Sequence, residues 1–175
     1  MAMDLVGALA QIQLCAELEQ DELQRLAAAG RVERWSEQAL VMEEGEHGPR
    51  LAILLEGRVQ VRKRDDAGTV HRIGEVGPGG VLGEISLLTG TQRSATVVAL
   101  GNLKIFAIDR STFEAMVADG DPAVLKLGLA IARVLAQRLC SVNDRVVELL
   151  EEHTSAGPIP DLAALRRDLF TRWNF

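Results

Sequence analysis

Glu84 and Arg93 stand nine positions apart in a stretch made mostly of small and aliphatic residues. Gly83-Glu84-Ile85-Ser86-Leu87-Leu88 opens the stretch, Gln92-Arg93-Ser94-Ala95-Thr96 closes it, and a glycine-rich approach, Gly77-Pro78-Gly79-Gly80, precedes it. A carboxylate accepts two hydroxyl hydrogen bonds, and a guanidinium offers a planar fork of donors that fits a phosphate. One small ligand carrying both a ribose and a phosphate would satisfy the two groups together. Taken singly, Gly83-Glu84 reads as a plain turn with a solvated acid and Arg93 as a surface charge. The ligand reading rests on their occurring together at this spacing.

The elements around this stretch must hold it still. From Val32 the chain reads as short extended segments separated by turn residues. Segments 40–42, 51–55, 59–64, 69–73, 95–100 and 103–108 are rich in Val, Ile and Leu and break at Gly, Asp or Glu. The fourth follows the turn Asp65-Asp66-Ala67-Gly68. Many short strands with glycine at their corners describe a small antiparallel barrel or a double-sheet roll.

Helical spacing bounds the roll on both sides. Leu5, Leu9, Ile12, Leu14 and Leu18, then Leu23 and Leu26, make the first thirty residues helical, with Gly30 as the stop. After the strands, Asp109 or Ser111 is placed to cap a short helix through Phe113, Met116 and Val117. Asp121 as N-cap with Pro122 at the first helical position starts a longer helix that runs to about Glu152. Along it Ile131, Leu135, Leu139, Val142, Val146 and Leu149 form a heptad-like seam, which predicts pairing with a second helix over mere covering of the roll. Residues 154–160 read as a linker, and Asp161 caps a last amphipathic piece with Leu162, Leu165, Leu169, Phe170 and Trp173. The expected organisation is a roll with N-terminal helices over 1–120, a long helix over 121–153 and a linker with a short tail over 154–175.

Composition narrows the function classes. The 175 residues hold one domain with a core and an appendage, with 47% hydrophobic and 25% charged residues as in ordinary globular proteins. No apolar run is long enough for a membrane span, and Met1-Ala2-Met3-Asp4 lacks the basic start of a secretory signal, so a cytoplasmic protein is expected. Cys15 and Cys140 sit in unrelated patterns, which suggests neither a disulfide nor a zinc site, and Cys15 reads as a buried thiol. His47, His71 and His153 are scattered and form no metal cluster by themselves. A net charge of −6 argues against duplex DNA as a partner but allows a local basic pocket for a small anion.

Read together, these residues resemble the cyclic nucleotide-binding domain family, which includes the effector half of bacterial catabolite activator proteins and the regulatory subunits of cyclic-AMP-dependent kinase. The resemblance extends from about Leu14 to Val147 and is carried by the phosphate-binding cassette, here Gly83 through Val97. Glu44-Gly45-Glu46, Leu55-Glu56-Gly57-Arg58-Val59 and Val76-Gly77-Pro78-Gly79 look like the family's glycine corners. The resemblance implies a mainly β fold, an eight-stranded antiparallel β-roll (jelly-roll) with N-terminal helices and a long C-terminal helix. It also implies that Glu84 accepts the ribose 2′-hydroxyl and that Arg93 pairs with the exocyclic phosphate oxygens. The N–H groups of Gly83, Glu84 and Ile85 would cradle the phosphate at the start of a short helix that contains Ser86. Ser94 would offer a hydroxyl near the phosphate or a guanine base, Ala95 belongs to the same cassette, and Leu82 and Val97 would supply apolar walls. Catabolite activator proteins reach the base with a polar Thr-Ser pair on the long helix. The matching positions here are Val142 and Asn143, of which Asn143 can read a purine edge through its side chain and Val142 cannot.

No cofactor is called for, the ligand being cyclic AMP or cyclic GMP, with cyclic AMP preferred by bacterial precedent. Bacterial transcription factors of the family continue past the long helix into a winged helix-turn-helix, for which the linker and short amphipathic piece seen here are no substitute. The expected protein is therefore a stand-alone sensor, homodimeric through the long helix, that signals to a partner protein of unknown identity, with no DNA and no membrane partner. A degenerate fold serving as a ligand-independent interaction module is the alternative. An enzyme is not expected, because cupin-like metal chemistry needs paired histidines and no nucleophile–histidine arrangement is apparent.

Overall fold

The computed structural model describes residues 5–48 and 50–154. The N-terminal helical region is broken into α1, Leu5–Ala10, a 3₁₀ turn, Gln13–Cys15, and α2, Gln20–Ala29. The break comes at Ile12, whose backbone is extended (φ −93°, ψ 126°) and whose side chain is buried. Glu19 opens α2 through a capping box in which the Glu22 carboxylate accepts the Glu19 N–H at 2.7 Å.

Eight strands follow, with one helix inserted. They are β1 (Arg31–Trp35), β2 (Leu40–Met42), β3 (Arg50–Glu56), β4 (Val59–Arg64), β5 (Val70–Val76), β6 (Val81–Leu82), β7 (Thr96–Ala99) and β8 (Leu103–Asp109), and α3 (Glu84–Thr89) lies between β6 and β7. One sheet has the order β1-β8-β3-β6 and the other β2-β7-β4-β5, and every pairing is antiparallel. The expected eight-stranded roll is thus present. Two strands lie outside the segments expected from the sequence: β1, whose Arg-Val-Glu-Arg-Trp sequence is largely polar, and β6, which is two residues long.

The core lies between the sheets. Ala52, Leu54, Leu103 and Ile105 from one sheet meet Val41, Met42, Val59, Val97 and Ala99 from the other. The alternate residues of β3 and β8, Leu51, Ile53, Phe106 and Ile108, are buried as well, so these two strands read as continuous apolar runs. α4 (Arg110–Ala118) packs on β8. Asp109 stands at its N-cap position but makes no side-chain cap bond, because its carboxylate instead accepts from Arg31 Nη1 at 2.7 Å.

α5 runs from Pro122 to Thr154. Asp121 caps it as the sequence predicts, with Oδ1 accepting from the Ala123 N–H at 2.8 Å. The chain divides into two compact units inside this helix, one ending at Ala132 and one beginning at Arg133. In the first, Ala123, Val124, Leu127 and Ile131 are fully buried, so Ile131 belongs to the core and not to a free seam. Lys126 Nζ sits 2.8 Å from Glu22 Oε2, and Arg25 Nε sits 3.1 Å from Asp121 Oδ2, which ties the start of α5 to α2. In the second unit Leu139 and Val142 are more than half exposed and Val146 is half-buried. The Leu149 side chain and the expected linker and tail beyond residue 154 lie outside the described residues. Among the described residues no helix is long and apolar enough to cross a membrane.

Candidate ligand-binding site

α3 is a six-residue helix whose N-cap, Gly83, has a left-handed backbone (φ 78°). A side chain there would be strained, and a Cβ would stand 2.0 Å from Arg93 Nη1 and 2.8 Å from the Arg50 main-chain oxygen. Gly48 closes on the same guanidinium from another loop: a Cβ on it would stand 1.8 Å from Arg93 Nε. Two glycines are thus the condition for Arg93 to lie where it does.

Arg93 is buried, with a relative exposure of 5%. Its Nη1 donates to Ser86 Oγ at 2.6 Å, and Ser86 Oγ donates in turn to the Gly83 carbonyl at 3.1 Å. Nη2 donates to the Arg50 carbonyl at 2.7 Å. The main chain of Arg93 is also held, its N–H donating to the Glu46 carbonyl at 2.8 Å and its carbonyl accepting from the Gly45 N–H at 2.9 Å. Burial is the main influence pulling this guanidinium below its ordinary pKa, followed by the nearby Arg50 cation. Glu84 and Glu46 pull the other way. A buried cation whose fork is fixed on neutral oxygens is suited to an anion, because a desolvated charge gains most from a charged partner.

The expected site residues fall into four groups. Gly83, Ser86 and Arg93 form one hydrogen-bonded chain, and Glu84 is buried at the head of α3 with its charge felt at Arg93. Ile85 is exposed at 40%, and Ser94 is exposed with Ala95 half-buried behind it. Leu82 and Val97 are buried in the inter-sheet core. Asn143 is exposed on α5 in the second unit.

Sequence reading missed Arg50, Gly48 and Lys63. Arg50 touches Arg93 through a main-chain oxygen, which carries no residue-type signal, and its cation acts there only at a distance. Its side chain is anchored elsewhere, with Nη1 3.0 Å from Glu33 Oε2, Nη2 donating to the Val41 carbonyl at 3.1 Å and Cζ 5.5 Å from the Trp35 ring centroid. Lys63 is exposed at the end of β4, and its place in the alternation Val59, Val61, Lys63 is the sequence signal that sets it apart. Cys15 is buried as expected, its thiol pushed up to about 11 by desolvation, and Cys140 is exposed.

The family model described as the cyclic nucleotide-binding domain matches residues 32–119, half of the chain and the whole of the site built around Arg93. The chain belongs to the cyclic nucleotide-binding domain family. A CRP-like cAMP-activated global transcriptional regulator of Mycobacterium tuberculosis is 27% identical over 110 residues, covering 63% of this chain and 47% of that protein. A cAMP-dependent protein kinase regulatory subunit of Dictyostelium discoideum is 33% identical over 98 residues, covering 53% of this chain and 30% of the other. This domain therefore spans less than half the length of either relative. A crystal structure of a cyclic nucleotide-binding domain from Methylobacillus flagellatus superimposes with a TM-score of 0.72 at 23% identity, covering 82% of this chain and 81% of that one, and shows the shared fold.

Proposed function

We propose that this cyclic nucleotide-binding domain is a regulatory sensor of cyclic AMP, preferred over cyclic GMP, and not a catalyst. The observation that carries the reading is the buried Arg93 guanidinium, held by Ser86 Oγ and the Arg50 carbonyl beside the buried Glu84. Arg93 takes the exocyclic phosphate oxygens and Glu84 the ribose 2′-hydroxyl. The N–H groups of Gly83, Glu84 and Ile85 add donors, because the first turn of a helix has no intrahelical acceptors for them. Ser86 orients Arg93, Ser94 lies by the phosphate, and Leu82, Ala95 and Val97 back the ligand. The choice of cyclic AMP follows what the mycobacterial and Dictyostelium relatives are named for.

The output is a change in a protein surface in the cytoplasm, carried by α5 and read by a partner protein, with the domain paired as a homodimer through the exposed apolar residues of that helix. Duplex DNA is not the partner of this domain, since its net charge is −6. A ligand shifts such an equilibrium only by its differential affinity for the two arrangements. Hydrogen exchange on free and cyclic-AMP-saturated protein tests the sensor: protection is expected to change both at 83–96 and along 142–150. A change confined to 83–96 would mark a passive binder.

A further inference from the structure

The segment that follows Arg93 is fastened at several points to the turn that joins β2 to β3. The Arg93 N–H and carbonyl bond to Glu46 and Gly45, and the Glu44 N–H donates to Thr96 Oγ1 at 3.1 Å. Between these fastenings lies the Ser94 carbonyl, which accepts from Lys63 Nζ at 2.8 Å. The same ammonium donates to Glu44 Oε1 at 3.1 Å, and the other Glu44 oxygen accepts the Arg64 N–H at 2.9 Å. Lys63 thus joins three elements at one atom: β4, the turn at Glu44 and the peptide next to the buried cation. The Glu44 carboxyl is held below the usual carboxylate range, first by the Arg64 N–H and then by Lys63, in keeping with a charged junction.

The peptide between Ser94 and Ala95 has no helix or ladder bond to fix it, because β7 begins only at Thr96. With the lysine gone, the Ser94 carbonyl can turn to water, and the Arg93 backbone gains the freedom to rotate about its two remaining fastenings. A planar guanidinium fork tolerates little rotation before one of its two parallel bonds to a phosphate is lost.

We propose that Lys63 is a positioning residue of the ligand site: by holding the Ser94 carbonyl and the Glu44 carboxylate together, it sets the aim of the Arg93 guanidinium at a ligand phosphate. The role rests on the cyclic-nucleotide reading above. It links the β4–β5 hairpin to ligand binding through one ammonium group.

The experiment compares wild type with Lys63→Met, Lys63→Arg and Glu44→Gln on the full chain. Titrations use cyclic AMP and adenosine, which lacks the phosphate, and amide exchange is followed at Gly45 and Arg93. In Lys63→Met, exchange at these amides is expected to quicken and cyclic AMP affinity to fall about tenfold, as for the loss of one charge-assisted bond to the phosphate. Adenosine affinity is expected to hold, Lys63→Arg to restore most of the loss, and Glu44→Gln to reproduce part of it. Unchanged exchange, an equal loss for adenosine, or unchanged cyclic AMP affinity in Lys63→Met would overturn the role of Lys63 while leaving the sensor reading intact. Failure of the wild type to bind cyclic AMP or cyclic GMP at all would overturn the sensor reading and this role with it.

Discussion

Arg93 Nη1 donates to Ser86 Oγ at 2.6 Å, so the cation that closes the cassette is aimed by a hydroxyl on the helix that opens it. Removing the hydroxyl leaves a buried charged donor short of a partner, at a cost of about 1.5–3 kcal/mol for a bond to a charged group. Ser86→Ala is therefore expected to lower both the melting temperature and cyclic nucleotide affinity, with the second loss smaller than that from removing Arg93 itself. Thermal melts and titrations on the same preparation check this.

Gly83 offers a backbone test of the same arrangement. Gly83→Ala introduces a Cβ into a left-handed conformation and against Arg93 Nη1 and the Arg50 oxygen. The chain is expected to stay folded, because the core between the sheets is untouched, and to lose nucleotide binding by at least tenfold, since a misplaced bidentate group forfeits on the order of 1.4 kcal/mol or more. Circular dichroism with calorimetry separates this outcome from unfolding.

Glu22 makes stability depend on acid. Lys126 first, and then the Glu19 N–H, hold its carboxyl below the ordinary value of 4.5. A carboxyl whose folded pKa is depressed contributes stability above its unfolded pKa and loses it as pH falls through the folded value. Melting temperature is expected to be flat from neutral pH down to the ordinary carboxylate range and to drop below it. Glu22→Gln should melt lower at neutral pH and show a shallower acid drop, because its share of the titration is gone.

The exposed half of α5 predicts assembly. Leu139 and Val142 are 52% and 58% exposed, which is unfavourable for two apolar residues four or fewer positions apart unless another surface covers them. Light scattering is expected to show a dimer that Leu139→Asp shifts to monomer without lowering the melting temperature of the roll. A wild type that is monomeric at tens of micromolar, on the order of common dimer affinities, would count against pairing through this helix.

Much of this was legible before the structure. The Glu84–Arg93 spacing marked the cassette, the Asp121-Pro122 pair marked the start of α5, and the alternation from Val59 marked β4. The missed parts have physical causes. Two residues of β6 are too few for any period to show, and the polar edge strand β1 is held mainly by its ladder to β8. The Arg50 oxygen is a backbone atom, so no residue type announces it. The seam along α5 reads as one feature because helical spacing is blind to tertiary packing: Ile131 is spent in the core, whereas Leu139 and Val142 of the same spacing are exposed.

The central claim is that buried Arg93 is the anion-binding group of a cyclic nucleotide site. Isothermal titration of cyclic AMP into wild type and Arg93→Ala, with cyclic GMP as the second ligand, tests it most directly. The predicted result is saturable one-to-one binding by wild type, tighter for cyclic AMP, and a loss of roughly ten- to a hundredfold in Arg93→Ala, the equivalent of about 1.5–3 kcal/mol of charge-assisted bonding. Wild-type protein that takes up neither nucleotide, or an Arg93→Ala variant that binds as tightly as wild type, would contradict it.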